Sequence, residues 1–268
     1  MPTTLKLHKY FALALAGAFL AVIEIFTAWP VFRFLFLSVV LFLALANYYN
    51  RRYLVAQQKY TPWVLVRFSL LVLAAIAIYL LLPTAALRGV FLLSAFFVIF
   101  AVEFMIGEFA ENLLINETLA AGFGLFAGLC GAAQYFPDWQ SLPVYLWHWH
   151  LFDWQFSLQP FYGAVMFAVS LLLARSFFEF VPRPNRDKWV AAILLSLFSS
   201  ELFWVSGFLP LHFSALALVL LSIFYFMLIL TYYHFFHTLT LKKIQYHLAL
   251  AVAACFIAIL LTPWTILS

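Results

Sequence analysis

Apolar runs of about 20 residues recur from one end of the chain to the other and constrain its fold more than any other feature. They are separated by prolines and short polar segments, and strict alternation of polar and apolar residues is absent. An α-helix of about 20 apolar residues crosses the hydrocarbon of a bilayer and satisfies its backbone hydrogen bonds internally. The pattern therefore predicts an all-α fold, a polytopic integral membrane helix bundle.

The low charge of the chain excludes a soluble globular protein. Only 9% of the residues are charged and 67% are hydrophobic, whereas a soluble domain carries roughly 25% charged residues. Membrane lipids are therefore the expected surroundings. The net charge of +4 does not indicate nucleic-acid binding, because most lysines and arginines fall in short loops, where they determine topology.

Prolines and polar turns divide the chain into about nine predicted transmembrane helices, in a single domain covering residues 1–268. Residues 137–159 are rich in Trp and Tyr but interrupted by polar residues, which favours an aromatic segment in the membrane interface. Residues 50–59 and 112–118 are predicted loops. The spans are placed at about 8–28, 31–49, 61–83, 88–108, 117–136, 160–181, 189–209, 211–236 and 246–265.

The basic residues predict the orientation of the chain in a cell membrane. Nine spans put four basic segments on one side, and the positive-inside rule makes that side cytoplasmic. The N-terminus is then cytoplasmic and the C-terminus outside. The four segments contain Lys6 and Lys9; Arg51, Arg52 and Lys59; Arg183, Arg186 and Lys188; and Lys242 and Lys243.

Charged residues inside the spans are candidate functional groups, because each costs roughly 2.5–3.5 kcal/mol at the membrane centre. At about 1.5 Å of rise per residue, Arg67, Glu103 and Arg175 fall at one level near the cytoplasmic side. We predict that they form a network, which would be either an ion or substrate site or a set of structural ion pairs. Its mouth would be lined by Glu108, Glu111 and Glu179.

A second group of charges is predicted near the outer side. Glu24 and Arg33 flank the Trp29–Pro30 turn, and Glu201 lies in the outer half of the seventh span. The hairpin can bring the first two together. These three residues are a second candidate ion or substrate site, with plain structural pairing as the alternative.

The histidines form no convincing metal motif. His148, His150 and Asp153 lie in the aromatic segment, but neither helical nor extended spacing puts all three on one face. They are candidate catalytic groups only if the protein is an enzyme. His234 and His237 lie three residues apart at the end of the eighth span and are interpreted as interface histidines. No cofactor is identified.

Small residues recur every four positions along the fifth span. Such a stripe lets another helix backbone approach closely, which favours central packing of this span beside the fourth. A homo- or hetero-oligomer through the same face is the alternative. The stripe consists of Ala120, Gly124, Gly128 and Ala132.

Three functions remain open on the sequence. Buried carboxylates without large soluble loops favour a small transporter or permease, with Glu103 as the coupling site. An intramembrane enzyme acting on a lipid or lipid-linked substrate is the second hypothesis. A non-catalytic membrane scaffold or partner subunit is the third.

Overall fold

The computed structural model describes residues 2–28, 32–56, 61–82, 84–104, 111–135, 158–209 and 211–261. Within these ranges, the side chains of residues 2–9, 24–28, 32–37, 56, 103, 104, 111–113 and 261 lie outside the description. All regular structure in the described ranges is helical, which confirms the all-α prediction.

The described residues form nine α-helices, joined in one place by a 3-10 turn at Phe178–Phe180. The helices are α1 Pro2–Ala28, α2 Phe32–Ala56, α3 Pro62–Leu81, α4 Ala85–Phe104, α5 Glu111–Tyr135, α6 Gln159–Phe177, α7 Asn185–Ser206, α8 Phe213–Phe235 and α9 Leu241–Leu261.

Seven of these helices, α3 to α9, are long and apolar enough to cross a membrane. In α1, the described apolar stretch is Tyr10–Ile23, which is shorter than the roughly 20 residues that a crossing requires. A multi-pass membrane architecture follows, and the number of nine crossings stays a prediction. Residues 137–157 of the predicted aromatic interfacial segment lie outside the described residues.

Two predicted loops are wrong in the residues that the structure describes, because α2 continues into the first and α5 includes the second. Residues 57–59 of the first loop lie outside the described residues. Helix α2 runs past Asn50, Arg51 and Arg52 to Ala56, and α5 begins at Glu111, so residues 112–118 are helical. Neither segment contains Pro or Gly, the residues that end helices. Asn50 is fully buried, and long arginine side chains can reach the interface from a continuous helix.

Residues Met1–Leu114 form one compact unit. Helix α1 packs against α2 and α4, and α3 packs against the same two helices. The buried ring of Phe19 lies 6.0 Å from the ring of Phe42, between α1 and α2. Asn47 Nδ2 donates a hydrogen bond to Ser69 Oγ at 2.9 Å, which links α2 to α3 through polar groups that the membrane interior would not solvate.

Residues Ile115–Ser268 form the second compact unit. Helices α6, α7, α8 and α9 pack in chain order, as short connections between antiparallel helices predict. Ser200 Oγ donates to the carbonyl of Gly163 at 2.8 Å and joins α7 to α6. The prediction of a single domain concerns the arrangement of the two units and stays a prediction.

Helix α5 packs on α8 through a close approach at Gly122. A Cβ at Gly122 would lie 2.8 Å from Leu221 Cδ1. One turn further, the rings of Phe126 and Phe224 meet edge to face at 5.6 Å. The residue that permits this approach is thus Gly122, which the predicted small-residue stripe does not include.

His247 connects α9 to α8 by two polar contacts. Its Nδ1 lies 3.2 Å from the hydroxyl of Tyr225, and its Nε2 lies 3.3 Å from the hydroxyl of Tyr233. A neutral imidazole offers one donor and one acceptor, so a single histidine can bond both tyrosines. The ammonium group of Lys243 lies 4.2 Å from the centre of the Tyr233 ring.

Replacing Gly122 by Val should destabilise the second unit by about 1–3 kcal/mol, because the added isopropyl group overpacks the contact with Leu221. The expected result is a lower midpoint of thermal unfolding in detergent. Gly89→Val is the matched control, since nothing lies within 4 Å of a Cβ at Gly89. Equal midpoints for the two variants would contradict the close approach.

Replacing His247 by Phe should remove both tyrosine contacts while keeping an aromatic ring. Each interhelical hydrogen bond in a membrane contributes roughly 0.6 kcal/mol, so we expect a loss of about 1 kcal/mol in a denaturant titration. Tyr246→Phe is the control, because the Tyr246 side chain is exposed. The linkage would be refuted if both variants unfolded at the wild-type denaturant concentration.

Candidate functional site

The connection between α6 and α7 is a tight turn held by polar contacts. The 3-10 turn follows α6 directly, and Pro182 and Pro184 then end the helical path before α7 begins at Asn185. Pro184 is the N-cap of α7, a place where its fixed φ and missing N–H are tolerated. The turn therefore starts α7 at a defined position.

Arg175 is the central residue of this turn. Its Nη1 lies 2.8 Å from Glu179 Oε2, and its Nη2 donates to Asn185 Oδ1 at 2.6 Å. The guanidinium also lies 5.3 Å from the centre of the Trp189 ring. Because Arg175 is only 4% exposed, its charge is compensated inside the protein.

Lys188 is also engaged in the turn. Its Nζ donates to the backbone carbonyl of Glu179 at 2.7 Å. A lysine near the end of a helical segment satisfies a carbonyl that lacks a helical partner. Lys188 and Arg175 are therefore both occupied by the turn itself.

Arg183 bridges from this turn to the end of α8. Its Nε donates to the carbonyl of Phe235, the last residue of α8, at 2.9 Å. Its Nη2 also contacts His237 Nε2. A cation at a helix C-terminus satisfies free carbonyls and interacts favourably with the helix dipole.

His237 adopts a backbone conformation that usually requires glycine. Its φ is 54°, and the N–H of Thr238 bonds the carbonyl of Tyr233 at 3.0 Å. This is the Schellman arrangement that ends many helices, with His237 at the position where Gly is favoured. A non-glycine residue costs of order 1–2 kcal/mol there, so the imidazole is kept at an energetic cost.

A groove with a volume of about 720 Å³ lies between the first half of α7 and the last half of α8. Four of its lining side chains are basic and lie where α7 begins and α8 ends, an end of the groove that is here called its mouth. These side chains are here called the basic rim: Arg183, Arg186, His234 and His237. Asp187 is the acidic residue beside them. The remaining wall, here called the throat, is formed by Val190, Ala191, Leu194, Leu195, Phe198, Met227, Thr231 and Phe235.

The throat follows one face of α7 into the apolar part of the helix. Val190, Leu194 and Phe198 are four residues apart and share a face, and all three are exposed. The distance from Arg186 to Phe198 along the helix is about 18 Å, close to half of the roughly 30 Å hydrocarbon thickness. The groove thus matches the depth of one leaflet.

The arrangement suits an amphipathic anion. Arginine guanidinium groups recognise phosphate and carboxylate oxygens, and the throat offers apolar surface for a chain. The volume falls in the range of roughly 300–1,000 Å³ that is typical of small-molecule sites. Among the described residues, no group of three His, Cys, Asp or Glu side chains could hold a metal ion.

The structure describes only some of the side chains of the predicted inner network. Arg175 pairs with Glu179, which was predicted at the network's mouth. Arg67 lies on α3 with a half-buried side chain that makes contacts. Glu103 and Glu111 lie on α4 and α5, but their side chains fall outside the description, as does the whole of Glu108. A network of Arg67, Glu103 and Arg175 stays a prediction.

The other predicted sites fall mostly outside the described residues. Glu201 is exposed on α7, whereas the side chains of Glu24 and Arg33 are not described, so their cluster stays a prediction. His148, His150 and Asp153 lie in a range that the structure does not describe, and their catalytic role stays a prediction.

The basic rim was not predicted as a site. The sequence pattern favours a topology role for Arg183 and Arg186 and an interface position for His234 and His237. The available signal was their combination: the predicted topology puts both segments at the same end of two consecutive helices. Basic groups on adjacent helix ends at one membrane surface predict a shared binding site better than either segment does alone.

Replacing Glu179 by Gln should destabilise the second unit, because it leaves the buried Arg175 guanidinium without a compensating charge. Gln keeps a hydrogen-bond acceptor but removes the negative charge, and an uncompensated buried charge is destabilising, so the midpoint of thermal unfolding in detergent should fall. Glu201→Gln, on the exposed side of α7, is the control and should cause no fall. Equal effects of both substitutions would rule out a special role for the pair.

Comparison with protein-family models, with curated proteins and with solved structures finds no match to this chain. The residues of the groove are therefore the basis on which a function can be inferred. Their chemistry combines anion recognition at the mouth with apolar contact along the throat.

Proposed function

We propose that this chain is a multi-pass membrane protein that binds a lipid or lipid-linked substrate with an anionic headgroup in the groove between α7 and α8. The observation that carries the proposal is the basic rim at the mouth of a throat with exposed apolar side chains. A soluble anion would need the rim but not the throat. A neutral lipid would need the throat but not the rim.

The orientation of the substrate follows from the same proposal. The positive-inside rule makes the Arg183–Lys188 segment cytoplasmic, so the groove would open to the cytoplasmic leaflet. That leaflet is rich in anionic lipids, and basic residues at its surface attract them by about 1 kcal/mol per side chain. The N-terminus would then be cytoplasmic and the C-terminus outside.

The charge balance of the second unit supports a role for the basic rim beyond topology. Arg175 and Lys188 are engaged within the α6–α7 turn, whereas Arg186 is exposed at the groove's mouth. His234 is exposed there as well. The turn thus uses some of its cations internally and presents others towards the groove.

The groove favours the lipid-directed function among the three that the sequence leaves open. Either a lipid-modifying enzyme or a lipid transporter could use it. A permease with Glu103 as coupling site remains a prediction from the sequence, because the Glu103 side chain lies outside the description. Oligomer formation through one face of α5 also remains a prediction from the sequence; the residues of that face are Ala120, Gly124, Gly128 and Ala132.

A photoactivatable anionic phospholipid should label α7 and α8 of the full-length protein in phosphatidylcholine nanodiscs. Arg186→Gln should weaken this labelling about fivefold, the equivalent of roughly 1 kcal/mol for one arginine at an anionic surface. Leu194→Trp should block the throat and reduce labelling further. Peptide mass spectrometry after crosslinking would locate the labelled residues.

Arg52→Gln is the matched control for this experiment. Arg52 is an exposed arginine on α2, 4.9 Å from the Tyr48 ring centre, and it lies in the other compact unit. Its replacement should leave labelling of α7 and α8 unchanged. Labelling that maps elsewhere, or that falls equally in the Arg52 and Arg186 variants, would refute the proposal.

A further inference from the structure

We infer that the headgroup bound at the basic rim is a phosphate monoester, the class of phosphatidic acids and polyprenyl phosphates. This inference deepens the proposed function and rests on it. A phosphate monoester carries about −1.5 to −2 charges at pH 7 and three free acceptor oxygens. A phosphodiester headgroup carries one charge and two free oxygens, followed by a further polar group.

The balance of donors and acceptors at the mouth favours a bare phosphate. Arginine side chains donate hydrogen bonds and cannot accept them. Arg183 uses its Nε on the Phe235 carbonyl and its Nη2 on His237 Nε2. Its Nη1 and the Arg186 guanidinium are therefore the arginine donors that the rim offers to a ligand. Asp187 is the carboxylate at the mouth. The hydroxyl groups of glycerol or inositol headgroups need acceptors as well as donors, and the ammonium of an ethanolamine headgroup needs anions or acceptors. The rim supplies mainly donors.

The rim also approaches its ligand from two sides. Arg183 and Arg186 come from the turn before α7 and from the first turn of α7, whereas His234 and His237 come from the end of α8. A terminal phosphate with three free oxygens can accept from both sides at once. A phosphodiester is blocked on one side by its second ester group.

His237 gives a separate indication that an imidazole is needed at this point. Its left-handed backbone would favour Gly, yet the residue is His, and its ring contacts Arg183. The contact holds the imidazole and the guanidinium side by side at the mouth. Strain retained at one position is characteristic of functional sites.

The headgroup preference can be tested by competition in the nanodisc assay. Dioleoyl phosphatidic acid and dioleoyl phosphatidylglycerol, which share their acyl chains, would compete with the photoactivatable lipid for the full-length protein. We expect phosphatidic acid to compete at least fivefold better. Dioleoyl phosphatidylethanolamine should compete least, because its headgroup is zwitterionic.

His237→Gly should remove this preference without weakening the fold. Glycine relieves the strain of the left-handed backbone, so the midpoint of thermal unfolding should stay the same or rise. The ratio of competition by phosphatidic acid to competition by phosphatidylglycerol should fall towards one. His234→Gln should lower the ratio in the same direction. His212→Asn, at the opposite end of α8 where His212 caps the helix, is the control and should keep the ratio.

The outcomes separate this inference from the proposed function. Equal competition by both anionic lipids, with crosslinks still in the groove, would overturn the monoester preference and leave the proposed function standing. Absence of crosslinks in the groove would overturn both. If soluble glycerol phosphate competed as well as phosphatidic acid, the throat would contribute nothing, and a lipid ligand would be excluded.

Discussion

The ion pair between Arg175 and Glu179 is the interaction on which the second unit's surface chemistry depends. With the bond from Arg175 to Asn185, it joins the end of α6 to the first residue of α7. A buried guanidinium is costly unless it is paired and hydrogen-bonded, so the pair fixes how the chain turns between these helices. The path of the chain between α6 and α7 then determines where Arg183 and Arg186 lie relative to α8.

The fold class and most helix limits follow from the sequence because lipid imposes simple rules. A run such as 62–81, with Pro62 at its start, can only be a helix in hydrocarbon, and the structure places α3 at Pro62–Leu81. The limits at Asn50 and Asn112 could not be predicted in the same way. The polar residues there predict loops, whereas a helix continues through polar residues when neither Pro nor Gly interrupts it.

The candidate site is harder to predict than the fold, because it depends on which helices are neighbours and on the direction of individual side chains. Depth along the spans predicts the inner network, but depth alone cannot say whether two helices are neighbours. Arg175 found its carboxylate four residues along its own chain, at Glu179. The basic rim depends on side-chain direction at the ends of two helices and on the left-handed backbone of His237, neither of which the apolar pattern encodes.

The exposed flank of the throat has a consequence for how a ligand reaches it. Since Val190, Leu194 and Phe198 are exposed, a lipid bound as we propose would enter the groove sideways from the bilayer without crossing water. Occupancy would then follow the mole fraction of that lipid in one leaflet, rather than any concentration in the surrounding solution. A cell could regulate such a protein simply by changing the composition of its membrane.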